Sequence, residues 1–197
     1  MNELFTIGYS SYDISSFIGT LKGYDILAVA DVRSSPYSGY KPDYNREILK
    51  DTLNKAGIYY VFLGEELGAR SKDNDCYIDG RADHALISRT ALFQKGIDRI
   101  LNGLQKYRIA LMCAEIDPII CHRNILVCRM LRKYEIAITH ILNNGRSETN
   151  SSTEKRLMKE YSIENNDLFL ADKDLLELAY AKRSVQIAFR IGDNEDE

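Results

Sequence analysis

The chain has 197 residues, a formal net charge of −3, and 45% hydrophobic against 28% charged residues. That length can bury a substantial core, and the slight acidity argues against indiscriminate binding of nucleic acid, which would have to use a local basic cleft. No apolar stretch approaches the roughly 18 residues of a membrane span, and the opening MNELFTIGYS has no basic segment followed by a long apolar run. Neither a signal peptide nor a membrane partner is therefore expected. A cytoplasmic location is the expectation, with Cys76, Cys113, Cys121 and Cys128 as free thiols in reducing surroundings.

The first apolar run is LFTIG (4–8), followed by a helical pattern over 13–22. The second, ILAVADV (26–32), precedes a helix candidate at 45–56, and the third is IYYVFLG (58–64). The polar, glycine-bearing segment 64–89 then reads either as an ordered functional loop or as a surface excursion. A helical pattern at 90–106 leads to RIALMC (108–113), and another at 118–133 leads to IAITHIL (136–142). These runs are short, and several are β-branched and continuous rather than alternating, which suits strands buried on both faces of a parallel sheet. Strand–helix alternation predicts an α/β protein: a three-layer Rossmann-like fold with a mainly parallel sheet and helices on both faces. Residues 1–197 are expected to form a single domain, with 1–145 as the sheet core and 146–197 as a helical appendage. In that appendage Ser152 or Thr153 would cap a short helix, a second helix would span 172–189, and the acidic end GDNEDE would fray.

Ligands of open α/β sheets bind beyond the carboxyl ends of the strands. Tyr9 and Ser10 follow the first run, Asp31 and Arg33 end the second, Cys113 and Glu115 end the fourth, and His140 ends the fifth. Asp31 and Arg33 share strand parity and project to one side; they read as a ligand-facing pair or as an ion pair closing the strand end. The loop SSPYSGYKPDYN (34–45), with Tyr37, Tyr40 and Tyr44, offers rings that could stack on a base or pack the loop itself.

The stretch LMCAEIDPIICHRN (111–124) concentrates the chemistry. Asp117 suits an N-cap and Pro118 the first helical position. On the helix that would follow, Arg123 falls in the middle of the apolar face, where a guanidinium needs a partner. It lies near a helix start that favours anions, so it reads as an anion ligand or as a structural ion pair with Asp31 or Glu115. His122 falls on the polar face. Cys121 sits in the first turn, where the dipole lowers a thiol pKa, and Cys113 lies on the rim of the same crevice. The spacing lacks a paired-cysteine metal motif, so no metal and no cofactor are expected. Cys128 reads as a buried thiol, His84 as solvent-exposed, and His140 as a base or a core histidine.

Together, TIGYS, DVRSSPYSGYKPDYN, LGEELGAR, YIDGRADH, LMCAEIDPIICHR, THI and LAYAKRSVQIAF resemble, in order and over nearly the whole chain, the motifs of an uncharacterised family called domain of unknown function 488. The segment LGEELGAR departs from a pattern that more often carries a second glycine after Leu-Gly. The resemblance implies a single α/β domain and marks Asp31, Arg33, Tyr37, Cys113, Glu115, Cys121, His122 and Arg123 as motif positions, but implies no established reaction. The leading expectation is an enzyme acting on an anionic, phosphate-bearing substrate such as a nucleotide or nucleic-acid end. In that reading Asp31, Cys113, Glu115 and Cys121 supply the chemistry, and Tyr9, Ser10, Arg33, Tyr37, His122 and Arg123 bind the substrate. The rivals are a non-catalytic nucleotide or nucleic-acid binding module and a thiol-dependent sulfur-transfer or redox enzyme.

Overall fold

A computed structural model describes residues 3–163 and 172–192. In chain order the elements are β1 (Glu3–Gly8), α1 (Ile14–Gly23), β2 (Ala28–Asp31), α2 (Arg46–Lys55), β3 (Tyr59–Phe62), α3 (Gly64–Leu67), a small hairpin of β4 (Tyr77–Ile78) and β5 (Arg81–Ala82), α4 (His84–Arg89), α5 (Ala91–Leu104) and β6 (Ile109–Cys113). A broken helix containing α6 (Arg129–Leu131) follows, then β7 (Ala137–Ile141), β8 (Ser147–Thr149), α7 (Asn150–Glu160) and α8 (Asp172–Ile187). All five apolar runs form strands of one six-stranded sheet, in the order β3-β2-β6-β1-β7-β8. Every pairing is parallel except that of β7 with β8. This is the expected three-layer Rossmann-like arrangement.

The order explains the layers. From β1 the chain steps to β2 and then β3 at one edge, returns to β6, and steps past β1 to β7. Right-handed crossovers in opposite directions place their helices on opposite faces. Strand alternation matches. Phe5 and Ile7 pack with Phe17 and Leu21 of α1 and with Leu49 and Leu53 of α2. Leu4, Ala30 and Leu111 pack on the other face with Phe93 and Ile97 of α5 and with Leu126 and Val127 of the broken helix. The chain therefore leaves β6 on one face and leaves its neighbours β1 and β2 on the other. A crevice opens at the carboxyl ends of these three strands, as it does at a topological switch point.

Three local expectations change. The 118–133 segment is not one helix: a 3₁₀ turn, Pro118–Ile120, is followed by Cys121 in extended geometry (φ −124°, ψ 137°) and then by a π-helical stretch, Arg123–Cys128. The 64–89 segment holds α3, the β4–β5 hairpin and α4, so it is an ordered segment. In the appendage the cap of α7 is Thr149, whose side chain accepts from the Ser152 amide; Thr153 is instead buried and donates to Glu148. The edge strand β8 escaped the sequence reading because its short SET sequence is polar and pairs through backbone alone.

Leu157 of α7 and Leu175, Leu176, Ala179 and Tyr180 of α8 pack on Ile119 and Ile125 of the broken helix. The appendage thus buttresses the segment that follows β6. The acidic tail from residue 193 onward lies outside the described residues. Among those described, no helix is long and apolar enough to cross a membrane.

Candidate active site

The chain past β1 keeps running alongside the chain past β6. Tyr9 and Ser10 donate backbone bonds to the carbonyls of Cys113 and Ala114, at 3.0 and 3.1 Å. Gly8 makes this approach feasible, because a Cβ built there would stand 1.8 Å from the Glu115 carbonyl oxygen and 2.9 Å from Ile116 Cα. These obstacles are backbone atoms that cannot rotate away. Gly8→Ala should therefore cost about 1–3 kcal/mol, the usual range for overpacking, read as a shifted urea midpoint; an unshifted midpoint would mean that the 114–116 loop yields freely.

The crevice encloses about 760 Å³ and is lined by Tyr9, Arg33, Tyr37, Arg70, Cys113, Glu115 and His122, among others. That volume suits a small-molecule site. Arg33 forms one wall. Its Nε and Nη2 grip Asp31 at 2.9 and 2.6 Å, and Nη2 also donates to the Tyr44 carbonyl at 2.9 Å. Tyr60 donates to the same Asp31 carboxylate at 2.7 Å. Asp31 is fully buried and holds Arg33 in place, while Arg33 Nη1 is buried with no hydrogen-bond partner among the described residues. The guanidinium lies over the Tyr9 ring at 4.9 Å, and that ring stacks on Tyr44 at 4.2 Å. Tyr9 and Tyr44 thus pack the loop core. Tyr37 is exposed and donates to Glu47.

The other wall is the stretch around Cys113. Cys121 donates to Glu115 Oε2 at 2.8 Å, Cys113 Sγ lies 3.6 Å from His122 Nδ1, and His122 Nε2 reaches the Val32 carbonyl at 2.9 Å. The break at Cys121 makes this geometry. An unbroken helix would aim His122 at solvent; the extended residue instead turns its imidazole, only partly exposed, towards Cys113. Burial pushes the Cys113 thiol well up and raises the Glu115 carboxyl. Burial also opposes ionisation of Cys121. Hydrogen bonding from Cys113 and the charges of Arg123 and His122 outweigh it and hold the Cys121 thiol well below its ordinary value. His122 is raised: burial opposes its charge, but its bond to Cys121 and the negative charge there prevail. Glu115 and Cys121 are too close for both to be anionic, so they share a proton.

Arg123 does not line this crevice. It is fully buried, with Nη1 donating to the Glu115 carbonyl, Nη2 to the Ile116 carbonyl at 2.9 Å and Nε to Thr6 Oγ1 at 3.3 Å. Its guanidinium clasps the backbone of the 115–116 loop from beneath, rather than the carboxylate of Asp31 or Glu115.

The family model described as domain of unknown function DUF488 matches residues 13–130, more than half of the chain. The chain belongs to the DUF488 family. No curated protein and no solved structure matches it.

The DUF488 match covers Asp31, Arg33 and Tyr37 together with the whole 113–123 stretch. Within this DUF488 chain the structure brings Tyr9, Arg33, Tyr37, Cys113, Glu115 and His122 to one crevice, with Cys121 directly behind them. Asp31 and Arg123 sit beneath the walls, and Ser10 is exposed outside the lining. Two contributors went unread in the sequence. Arg70 lines the crevice, its amide bonded to Ser34 Oγ at 3.0 Å and its guanidinium 4.5 Å from the Phe189 ring. Residues 186–189, at the end of α8, form part of the rim, held to the hairpin by the Ala82 amide on the Phe189 carbonyl. Arg70 closes the LGEELGAR motif and residues 186–189 close LAYAKRSVQIAF; these motifs were the available signals, but neither says by itself that its end returns to the crevice. His84, expected in solvent, is buried.

Proposed function

We propose that this DUF488 protein is an enzyme acting on an anionic, phosphate-bearing substrate, such as a nucleotide or nucleic-acid end, bound at the carboxyl ends of β1, β2 and β6. The observation that carries the reading is one crevice with two arginines on one side and a thiol, a carboxyl and an imidazole on the other. Arg33 is oriented by Asp31 and keeps one guanidinium nitrogen uncommitted, the arrangement that favours an oxyanion. Arg70 adds a second cation. Glu115 and His122 stand ready as proton donor and acceptor. A non-catalytic binding module would use the same arginines, but it has no need of the Cys–Glu–His group. A sulfur-transfer enzyme needs an accessible thiol, whereas Cys113 and Cys121 are only 2% and 1% exposed.

Arg70→Met tests the reading without disturbing the buried Asp31–Arg33 pair. Losing charge-assisted hydrogen bonds to a bound anion should cost about 1.5–3 kcal/mol, roughly ten- to a hundredfold or slightly more in affinity. Calorimetric titration of inorganic phosphate and mononucleotides into wild type and variant measures this. Equal affinities in the two proteins would remove the crevice as the anion site. Affinity without turnover of any phosphate ester would favour the binding module.

A further inference from the structure

Four donor atoms converge beside the crevice. Sγ of Cys113, a carboxylate oxygen of Glu115, Sγ of Cys121 and a ring nitrogen of His122 all lie within 4.8 Å of one another. A tetrahedral zinc with sulfur at about 2.3 Å and nitrogen or oxygen at about 2.0–2.1 Å needs donor–donor edges of roughly 3.3–3.8 Å, those between sulfur and nitrogen or oxygen being roughly 3.5 Å. The Cys113–His122 edge is 3.6 Å. The Cys121–Glu115 edge is 2.8 Å and would have to open by roughly 0.7 Å to meet that geometry, a shift that Glu115, on the crevice side, can make by side-chain rotation.

Two further features distinguish this set from thiols that merely happen to lie near an acid. His122 Nε2 bonds the Val32 carbonyl, so in the neutral ring Nε2 carries the proton and Nδ1 presents its lone pair towards Cys113. This outer bond is the one that metal-binding histidines use to fix their tautomer. The Arg123 backbone amide points at Cys121 Sγ from 3.4 Å, a donor that stabilises a thiolate ligand. Two sulfurs, one imidazole and one carboxylate form a set for zinc-class ions rather than for calcium or magnesium, which prefer oxygen throughout.

We infer that Cys113, Cys121 and His122 hold a zinc-class divalent cation beside the crevice, with Glu115 in the fourth position. This reverses the expectation drawn from motif spacing: the broken helix, not a paired-cysteine motif, assembles the donors. Three donors are anchored, two as buried thiols and one by Val32. Glu115 lines the crevice, and among the described residues its carboxylate is bonded only within the cluster itself, so it is the ligand that gives way. The inference deepens the proposed function and rests on it in one respect: the oxygen that replaces Glu115 on the cation belongs to the oxyanion held by Arg33 and Arg70. A cation with three protein ligands and one exchangeable position is the arrangement of catalytic zinc.

The full chain, purified without a metal-affinity tag and stripped with chelator, is titrated with cobalt(II). The expected result is one equivalent bound, with a thiolate-to-cobalt charge-transfer band and the visible bands of a tetrahedral ion, both displaced by zinc. X-ray absorption at the zinc edge of the wild-type protein should show two sulfur neighbours at about 2.3 Å, a reading that needs no variant to fold. Cys121→Ser should weaken binding by more than the roughly 10–100-fold that loss of an outer partner costs, while Cys76→Ser, outside the cluster, should bind as wild type does. Uptake well below one equivalent, or a zinc shell without sulfur, overturns the inference. Phosphate titration of the metal-free protein separates the two readings. Arg70-dependent phosphate binding in a chain that takes no metal removes the cation and leaves the proposed function standing. One bound cation with no Arg70-dependent phosphate binding supports the cation site and removes the anion reading instead.

Discussion

Arg123→Met should lower the stability of the protein by about 3–5 kcal/mol, even with no phosphate present. Arg123 is the largest fully buried side chain among the described residues. Its guanidinium bonds the carbonyls of Glu115 and Ile116 and the hydroxyl of Thr6. Methionine fills part of the space but donates nothing. Each partly buried carbonyl left unsatisfied costs about 1–3 kcal/mol, and two carbonyls lose their donor at once, which puts the combined loss at about 3–5 kcal/mol. Arg123→Lys should recover little, because one ammonium on a flexible stem cannot span two carbonyls and a hydroxyl as the planar fork does. Urea melts of the three proteins decide this, with the midpoint shift read at a common slope. The effect has a functional echo: the clasped loop carries Glu115, so a folded Arg123→Met protein should also hold any crevice ligand less tightly. Coincident melts for wild type and Arg123→Met would show that the loop is held by other means.

The second large effect is loss of stability in acid, set by two buried histidines. Burial lowers His84 and His140 from 6.5 to about 4. For His140 the hydrogen bonds explain why the neutral ring is kept. The Asn150 amide nitrogen donates to Glu154, so its oxygen accepts from His140 Nε2, and Nδ1 accepts from Thr6. A proton on Nδ1 would break that chain and place a cation near Arg123. Both nitrogens of His84 are buried without a partner among the described residues. Between pH 6.5 and about 4 the unfolded chain therefore binds protons that the folded chain refuses, so stability falls as pH falls through this window. Each histidine should contribute a loss of about 3 kcal/mol by pH 4, at about 1.4 kcal/mol per unit. His84→Leu removes one of the two and leaves no polar atom unsatisfied. Its stability should be near or above that of wild type at pH 7, with the gap widening in its favour by about 1.4 kcal/mol per unit from pH 6 to pH 5. Parallel stability curves over that interval would show that His84 protonates freely in the folded protein.

Sequence and tertiary structure divide the determination of this molecule along a physical line. Strand positions were legible because each is a short apolar run whose burial depends on composition and period alone: LFTIG, ILAVADV and RIALMC could hardly be anything but interior strands. The three-layer α/β architecture followed from their alternation with helical patterns. Strand order, which puts β6 between β1 and β2 and so opens the crevice, depends on contacts between residues about a hundred positions apart, and no local pattern encodes it. Most of the crevice residues were legible as polar groups at strand ends, since a strand end beside a switch point is where such groups collect. Their division of labour was not. Asp31 and Arg123 look alike in sequence, as charged residues within apolar segments, and only packing shows that each lies behind a wall of the crevice rather than in it. Helical periodicity put His122 on a solvent face. The extended residue at Cys121, stabilised by contacts that reach Glu115, Val32 and Thr6, turned it inward. Local propensity is summed over a few neighbours, whereas the conformation of this turn is decided by partners from β1, from the end of β2 and from the loop after β6. For that reason the donor cluster became visible only in three dimensions.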